Sequence, residues 1–391
     1  YEIAQCLVGS EMCIRDRNNM IRQILDKFGI IQAIKRYRMS RQVNAEKVRE
    51  ENLVIGHLSD DKFLPLSASE KEQIEELWGS IDNISERSYR EFEMFKKLNG
   101  FDARYLTHYN YLPILAHLLN DYRYTKIYDD KGLLGYLKPT HMRFPKCYVR
   151  RIVSDFYDNE MHQINFDQAV DSCSKTDEIF IKPSHETSGG KGAKLLRLKG
   201  LSFDERKKII QEELSGRQND YVVQECICQH SVMSQFNPSS VNTLRITTLM
   251  LNGKFSLCSI ILRCGMDGST VDNWGAGGLV VNVSPDGIVN SVAHDIYLNE
   301  YKSNGGCVFE NCSIPQMPDI LKMLEQCHKE DFAICKFIGW DIAIDKDGCP
   351  IIIELNSSQP GVIGEQLIAG PIFGNRTQEV IDYCKTKRFS Y

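Results

Sequence analysis

The run Gly339–Asn356, GWDIAIDKDGCPIIIELN, constrains this chain more than any other. Alternating apolar residues flank Asp347-Gly348, a dipeptide that favours a two-residue hairpin turn. That turn pairs Asp341 with Glu354 and Gly339 with Asn356. Side chains alternate between the faces of a strand. Trp340, Ile342, Ile344, Ile351, Ile353 and Leu355 therefore form one apolar face, which must be buried. The opposite face carries Asp341, Ala343, Ile352, Glu354 and Asn356. Two carboxylates placed directly opposite each other repel. A hard divalent cation compensates them, because its preferred ligands are carboxylate and amide oxygens. A solvated hairpin face is the plainer alternative.

A second motif is FIKPSHETSGGKG, Phe180–Gly192. Lys182 ends a strand spelled EIFIK, and the loop behind it holds Gly189, Gly190 and Gly192. Glycines let backbone N–H groups close on an anion, and Lys191 adds a mobile charge. A plain flexible turn is the competing explanation. The loop is not a Walker motif, since Gly192 rather than Ser or Thr follows Lys191. No G-x-G-x-x-G, H-R-D or D-F-G pattern accompanies it. Cys226, Cys228 and His230 would share a strand face and make a candidate zinc set. They lack a fourth ligand and C-x-x-C spacing, so packing is the better reading.

The remaining chain divides by texture. Residues 1–17 (YEIAQCLVGSEMCIRDR) resemble translated adapter sequence and are set aside. Residues 18–128 carry helical signals, with an apolar stripe from Ile21 to Ile31. A capping box at Ser67 and Glu70 precedes Ile74, Leu77, Trp78 and Ile81. Phe92, Phe95 and Leu98 form the next stripe, closed by Asn99-Gly100. Aromatic residues from Tyr105 to Tyr128 suit core packing, with a lid or acceptor surface as the alternative. From residue 129 short strands and turns dominate. Ser202 and Glu205 open a helix, Tyr221–Ile227 reads as a strand, and Asn252-Gly253 and Asp286-Gly287 predict two further hairpins. Thr377–Lys387 reads as a surface helix.

Composition narrows the class. The net charge is −5, with 42% hydrophobic and 25% charged residues. These values suit a globular protein and exclude a disordered chain or a basic nucleic-acid binder. No apolar run approaches the roughly 20 residues of a membrane span. The 14 cysteines are scattered, which suits reduced thiols in a cytoplasmic protein.

Taken in order, IKPSHETSGGKG, VVQECICQH, NTLRITT, LRCGMDGSTVDNWGAGG and the final hairpin resemble the sugar-transfer-associated ATP-grasp family, from about Asp130 to the C-terminus. The resemblance implies an α+β ATP-grasp fold, in which two α+β subdomains with antiparallel sheets grip ATP. Here it would follow an N-terminal helical region. The implied units are 129–228, with lysine strand, glycine loop and adenine hinge, and 229–391, the metal-binding catalytic part.

Residue by residue, the resemblance makes Lys131 and Lys182 nucleotide-contacting lysines. It makes Ser188, Gly189, Gly190, Lys191 and Gly192 the loop that closes over the phosphates. Gln224, Glu225 and Ile227 become the adenine hinge, with Gln229 and His230 where a ribose-binding acid is usual. Asp341, Glu354 and Asn356 become ligands for two Mg²⁺, with Mn²⁺ as a substitute. Arg263 resembles an arginine that holds the transferred γ-phosphate. Regular pairing across Asn252-Gly253 sets Asn242 opposite Arg263 and puts Arg245 on the other face, so Arg245 ranks below it. Asn242, Asn273, Gly277 and Gly278 would frame the acceptor. Some peptide-forming relatives carry an arginine two residues before the metal aspartate; here that position is Gly339.

The implied activity is an ATP- and Mg²⁺-dependent carboxylate–amine ligase in surface-glycan biosynthesis. A kinase acting on a hydroxyl and a non-catalytic nucleotide-binding module are the alternatives. The implied partners are a carboxylate donor and a small or sugar-linked acceptor. The oligomeric state stays open.

Overall fold

The computed structural model describes residues 55–81, 84, 86–107, 114–185 and 192–387. The segment 1–17, the stripe from Ile21 to Ile31, and Ser188, Gly189, Gly190 and Lys191 lie outside the described residues. Helix α1 (Ala68–Trp78) starts at the expected capping box, with Ser67 N–H donating to Glu70 Oε2 at 2.7 Å. Helix α2 (Glu86–Asn99) ends at Gly100, whose φ of +87° suits glycine. Both helices bury aromatic faces, and Tyr105 stacks on Phe95 with ring centroids 4.4 Å apart. Tyr105 is thus core, not lid.

A six-stranded antiparallel sheet follows. Its strands are β1 (Cys147–Ile152), β2 (Asp155–Tyr157), β3 (Gln163–Ile164), β4 (Glu178–Pro183), β5 (Lys194–Arg197) and β6 (Tyr221–Gln224), in the order β3-β2-β1-β6-β4-β5. Helices α3 (Phe166–Ser174) and α4 (Phe203–Ser215) cover one face, packing on Val149, Ile179, Ile181, Tyr221 and Val223. Strand alternation turns Arg150, Val222, Lys182 and Gln224 to the opposite face. In register, Val222 pairs with both Arg150 and Lys182, so these three form one row across three strands.

The second sheet has the order β11-β10-β9-β8-β7-β14-β15. It comprises β7 (Thr243–Leu251), β8 (Lys254–Cys264), β9 (Leu279–Val283), β10 (Val289–His294), β11 (Glu300–Tyr301), β14 (Phe337–Ile344) and β15 (Pro350–Asn356). A small ribbon of β12 (Ser303–Asn304) and β13 (Cys307–Val308) stands beside it. Helix α5 (Met317–Glu330) buries Ile320, Leu324 and Cys327 with Leu244, Ile246, Trp340 and Ile342. Helices α6 (Ile363–Ala369) and α7 (Thr377–Lys385) close the chain. Val380, Ile381 and Cys384 of α7 are buried with Trp78 and Phe95, so α7 is a core helix rather than the surface helix expected.

The turns divide by residue type. Asn252 takes a φ of +52°, and Asn252-Gly253 makes the expected two-residue turn between Leu251 and Lys254. Asparagine tolerates the left-handed region. The two Asp-Gly sites instead form three-residue loops, with only glycine left-handed. Around Asp347, Asp345 N–H bonds Cys349 O at 2.9 Å and Gly348 has φ +84°. Around Asp286, Ser284 N–H bonds Ile288 O at 2.8 Å and Gly287 has φ +90°.

The final hairpin therefore starts one residue out of the expected register, pairing Ile342 with Ile352. A bulge at Ile353 absorbs the offset, and beyond it Asp341 pairs with Glu354 and Gly339 with Asn356, as expected. Ile352, not Ile351 or Ile353, joins the core beneath Trp340.

Candidate active site

The functional face lies where the two sheets approach. Residues 142–146 bridge them: Ile352 N–H bonds Arg143 O at 2.9 Å, and Glu225 N–H bonds Lys146 O at 2.8 Å. A cavity of about 290 Å³ opens there, walled by Lys131, Met142, Phe144, Arg150, Gln224 and Ile353. Lys131 enters from the loop before β1, fixed by its N–H to Ser184 O at 2.8 Å. Its Nζ meets Glu354 Oε1 at 2.8 Å. Lys182 reaches across from β4 and donates to Ile353 O at 3.3 Å. Burial, and then the positive charge of Lys131, push the Lys182 ammonium down to about 8.

Beside these lysines Asp341 is buried between two arginines. Arg245 donates from Nε to Asp341 Oδ1 at 2.5 Å and from Nη2 to Oδ2 at 3.1 Å. Arg263 Nη2 stands 3.0 Å from Asp341 Oδ2. The sequence expectation that Arg245 faces away is overturned. An irregularity at Thr247/Thr248 sets Thr243, not Asn242, opposite Arg263, so both arginines share one face. Burial alone would raise the Asp341 carboxyl, but Arg245 and Arg263 outweigh it and hold it at about 2. Gly339 makes room for this arrangement. A Cβ there would stand 3.6 Å from Arg245 Cδ and 3.3 Å from Pro360 Cβ.

Two further acids, neither singled out from the sequence, complete the cluster. Glu365 at the start of α6 lies 3.6 Å from Arg245 Nη1. Asp272 lies 3.8 Å from Arg263 Nε and accepts from Thr243 Oγ1 at 2.5 Å. Burial raises both carboxyls above the usual range.

Other expected site residues do structural work. Asn242 is fully buried, and its Nδ2 donates to Met233 O and Asn237 O at 2.8 Å each. The Gln229 Oε1 accepts from Asn242 N–H at 3.1 Å. His230 Nδ1 caps a short helical turn by accepting Val232 N–H at 3.2 Å. The Glu225 carboxylate bonds Arg143 and takes Lys146 N–H at 2.8 Å, while Gln224 lines the cavity and Ile227 is half-buried beyond β6. Gly192 has φ +76°, and its carbonyl accepts from Arg217 Nη1 at 2.8 Å. Asn273 opens a tight turn whose carbonyl accepts Ala276 and Gly278 N–H at 3.0 Å. Gly277 is left-handed at φ +93°, and a Cβ on Gly278 would strike Asp272 O at 2.5 Å.

The lysine strand, the cavity at the end of β6 and the Asp-Glu-Asn hairpin thus face one another across two antiparallel sheets. A family model described as sugar-transfer associated ATP-grasp matches residues 114–382. The chain belongs to that family. The match begins upstream of Asp130, where the motifs start.

Solved structures similar to this ATP-grasp chain include D-alanyl-alanine synthetase A from Vibrio cholerae, at 11% identity and a TM-score of 0.35. That match covers 62% of this chain and 60% of the other. An L-amino acid ligase from Bacillus licheniformis matches at 11% identity and TM-score 0.37, over 67% and 48%. The biotin carboxylase domain of a Hydrogenobacter thermophilus 2-oxoglutarate carboxylase, solved with MgADP, ADP and bicarbonate, matches at 11% and TM-score 0.42, over 70% and 49%. The chain spans about half to three fifths of the length of these structures. No curated protein matches the sequence.

Among the described residues, no group of three His, Cys, Asp or Glu side chains converges as a metal set. A divalent cation would rest on two carboxylates and an amide. Asn356 uses Nδ2 on Gly339 O at 3.4 Å, which leaves Oδ1 as donor. Glu354 gives one oxygen to Lys131, and Asp341 Oδ1 accepts only from Arg245 Nε among the described residues. This all-oxygen set fits Mg²⁺. No helix among the described residues is long and apolar enough to cross a membrane.

Proposed function

We propose that this chain is an ATP- and Mg²⁺-dependent carboxylate–amine ligase that works through an acyl phosphate. The observation that carries the reading is the convergence of Arg245 and Arg263 on Asp341, beside the Lys131–Glu354 pair. Guanidinium forks suit a transferring phosphoryl group, and lysines suit the phosphates behind it. Lys131 and Lys182 hold the nucleotide, and Gln224 and the backbone of Glu225 and Ile227 border its base; by the family resemblance Ser188, Gly189, Gly190, Lys191 and Gly192 would contact the phosphates. A substrate carboxylate oxygen attacks the γ-phosphorus, and the bond to the ADP oxygen breaks. Arg263 and Arg245 neutralise charge on the transferred group. The amine of the acceptor then attacks the acyl carbon, phosphate leaves with the bonding pair, and the amine loses a proton. Asp341, Glu354 and Asn356 would hold Mg²⁺, whose chemistry is neutralisation of phosphate charge. The turn from Asn273 through Gly278 keeps Asp272 beside Arg263 and so borders the acceptor.

The family description supports a sugar-linked acceptor in glycan modification, and dependence on ATP suits the cytoplasm. An ADP-release screen over amino acids and amino sugars, run with hydroxylamine, tests the reading. A ligase yields ADP and a hydroxamate. ADP with a phosphorylated acceptor and no hydroxamate identifies a kinase instead. Nucleotide binding with no turnover identifies a binding module.

A further inference from the structure

One cation of the nucleotide cleft has no role in the account above. Arg150 lies on β1 in the same cross-strand row as Val222 and Lys182, on the sheet face opposite α3 and α4. Its side chain lines the cavity with Lys131 and Gln224, yet the residue is only 6% exposed. Nη1 donates to the carbonyls of Asp158 at 3.1 Å and Asn159 at 3.4 Å, which pins the guanidinium in place. Nε is buried and has no hydrogen-bond partner. Among the described residues no carboxylate lies within ion-pair distance of Arg150. Three other cations around the cavity are paired, Lys131 with Glu354 at 2.8 Å, Lys138 with Glu160 at 3.4 Å, and Arg143 with Glu225, while Lys146 is exposed to solvent.

A buried guanidinium without a counter-charge is costly, and an orphaned donor adds to the cost. An oxyanion in the cavity supplies the missing counter-charge, and a guanidinium matches phosphate geometry. The cavity wall is rich in cations, which selects an anionic rather than a neutral occupant.

We propose that Arg150 is a phosphate-binding residue of the nucleotide cleft, its guanidinium taking an oxygen of a nucleoside di- or triphosphate. This rests on the nucleotide-binding reading given above. Calorimetric titration of the full chain with ADP, and competition with adenosine, decide it. Arg150→Gln weakens ADP about ten- to hundredfold, the usual range for one charge-assisted hydrogen bond. Adenosine, lacking phosphate, binds the variant as it binds wild type. Arg150→Lys, which keeps the charge and loses the fork, falls between the two. ADP binding unchanged in Arg150→Gln overturns the proposal. So does equal weakening of ADP and adenosine, which would mark a lesion in the β2–β3 hairpin. The underlying reading fails separately: wild type then binds no ADP, or Lys182→Met binds it as tightly as wild type does.

Discussion

Asp341 holds two arginines in place, and the proposed function adds cation binding; a pair of substitutions separates the two roles. Its oxygens receive hydrogen bonds from Arg245 and Arg263, and its side chain is only 7% exposed. Removing one member of a buried ion pair leaves the other charges uncompensated, at about 3–5 kcal/mol. Asp341→Asn is therefore expected to lower the melting temperature by several degrees. Glu354 is 30% exposed and, among the described residues, pairs with the buried Lys131, so Glu354→Gln is expected to cost about 1–3 kcal/mol, less than Asp341→Asn. Both variants remove a carboxylate proposed to hold Mg²⁺, and on that proposal both are expected to lose Mg²⁺-dependent ADP release by about a hundredfold or more. Thermal melts beside ADP-release assays check this. Wild-type turnover by a stably folded Glu354→Gln would refute the cation assignment.

Elements meet through single buried contacts whose protonation matters. His328 of α5 places Nδ1 2.8 Å from Thr248 Oγ1 on β7 and Nε2 3.0 Å from Cys335 O. A carbonyl only accepts, so Nε2 carries the proton and Nδ1 accepts from the hydroxyl. Thr248 Oγ1 in turn accepts from Trp340 Nε1 of β14 at 2.7 Å. Burial pushes the ring down to about 4. The unfolded chain, near 6.5, thus takes up the proton first as pH falls. The His328 contribution is complete above pH 6.5 and is lost between 6.5 and 4, on the order of 3 kcal/mol. Melting temperatures measured from pH 7.5 to 4.5 are expected to fall across that window, with a smaller slope in His328→Gln. An unchanged slope would assign the titration elsewhere. The same scale explains what the sequence could reveal. Asp341 and Glu354 face each other as the hairpin reading expects, but only because the three-residue loop and the bulge at Ile353 cancel. A bulge has no residue-type signature, and those in β7–β8 and β15 reversed the parity for Arg245 and moved Ile352 into the core. Glu365 reaches the site from helix α6 and Arg150 from β1, and no local pattern announces them; Asp272 lies within the run LRCGMDGSTVDNWGAGG, next to Asn273, but its contact with Arg263 is set by the fold.

The whole molecule is bound together more tightly than its motif map suggests. The family match starts at residue 114, yet α1 and α2 share one core with the end of β7, Phe337, α6 and α7. Gln366 of α6 exchanges two hydrogen bonds with the Leu106 backbone, at 2.8 and 2.7 Å, and Asn99 Nδ2 donates to Leu367 O at 2.8 Å. Those contacts fix the helix whose Glu365 stands beside Arg245. The N-terminal helices are therefore part of the wall behind the arginines. A chain cut to begin at Ile114 exposes Leu249, Leu251, Phe337, Leu367, Val380 and Ile381, all buried in the full protein. An apolar patch of that kind does not persist in a stable monomer. The truncated chain is expected to lack cooperative melting and to bind a hydrophobic dye that the full chain does not bind. Within the full chain, Gln366→Ala strands the buried Leu106 N–H and C=O and is expected to cost about 2–3 kcal/mol. It should also lower ADP release, because the Glu365–Arg245 contact loosens with α6. A truncated chain that melts sharply and turns over ATP would show instead that the 55–107 helices form a separate module.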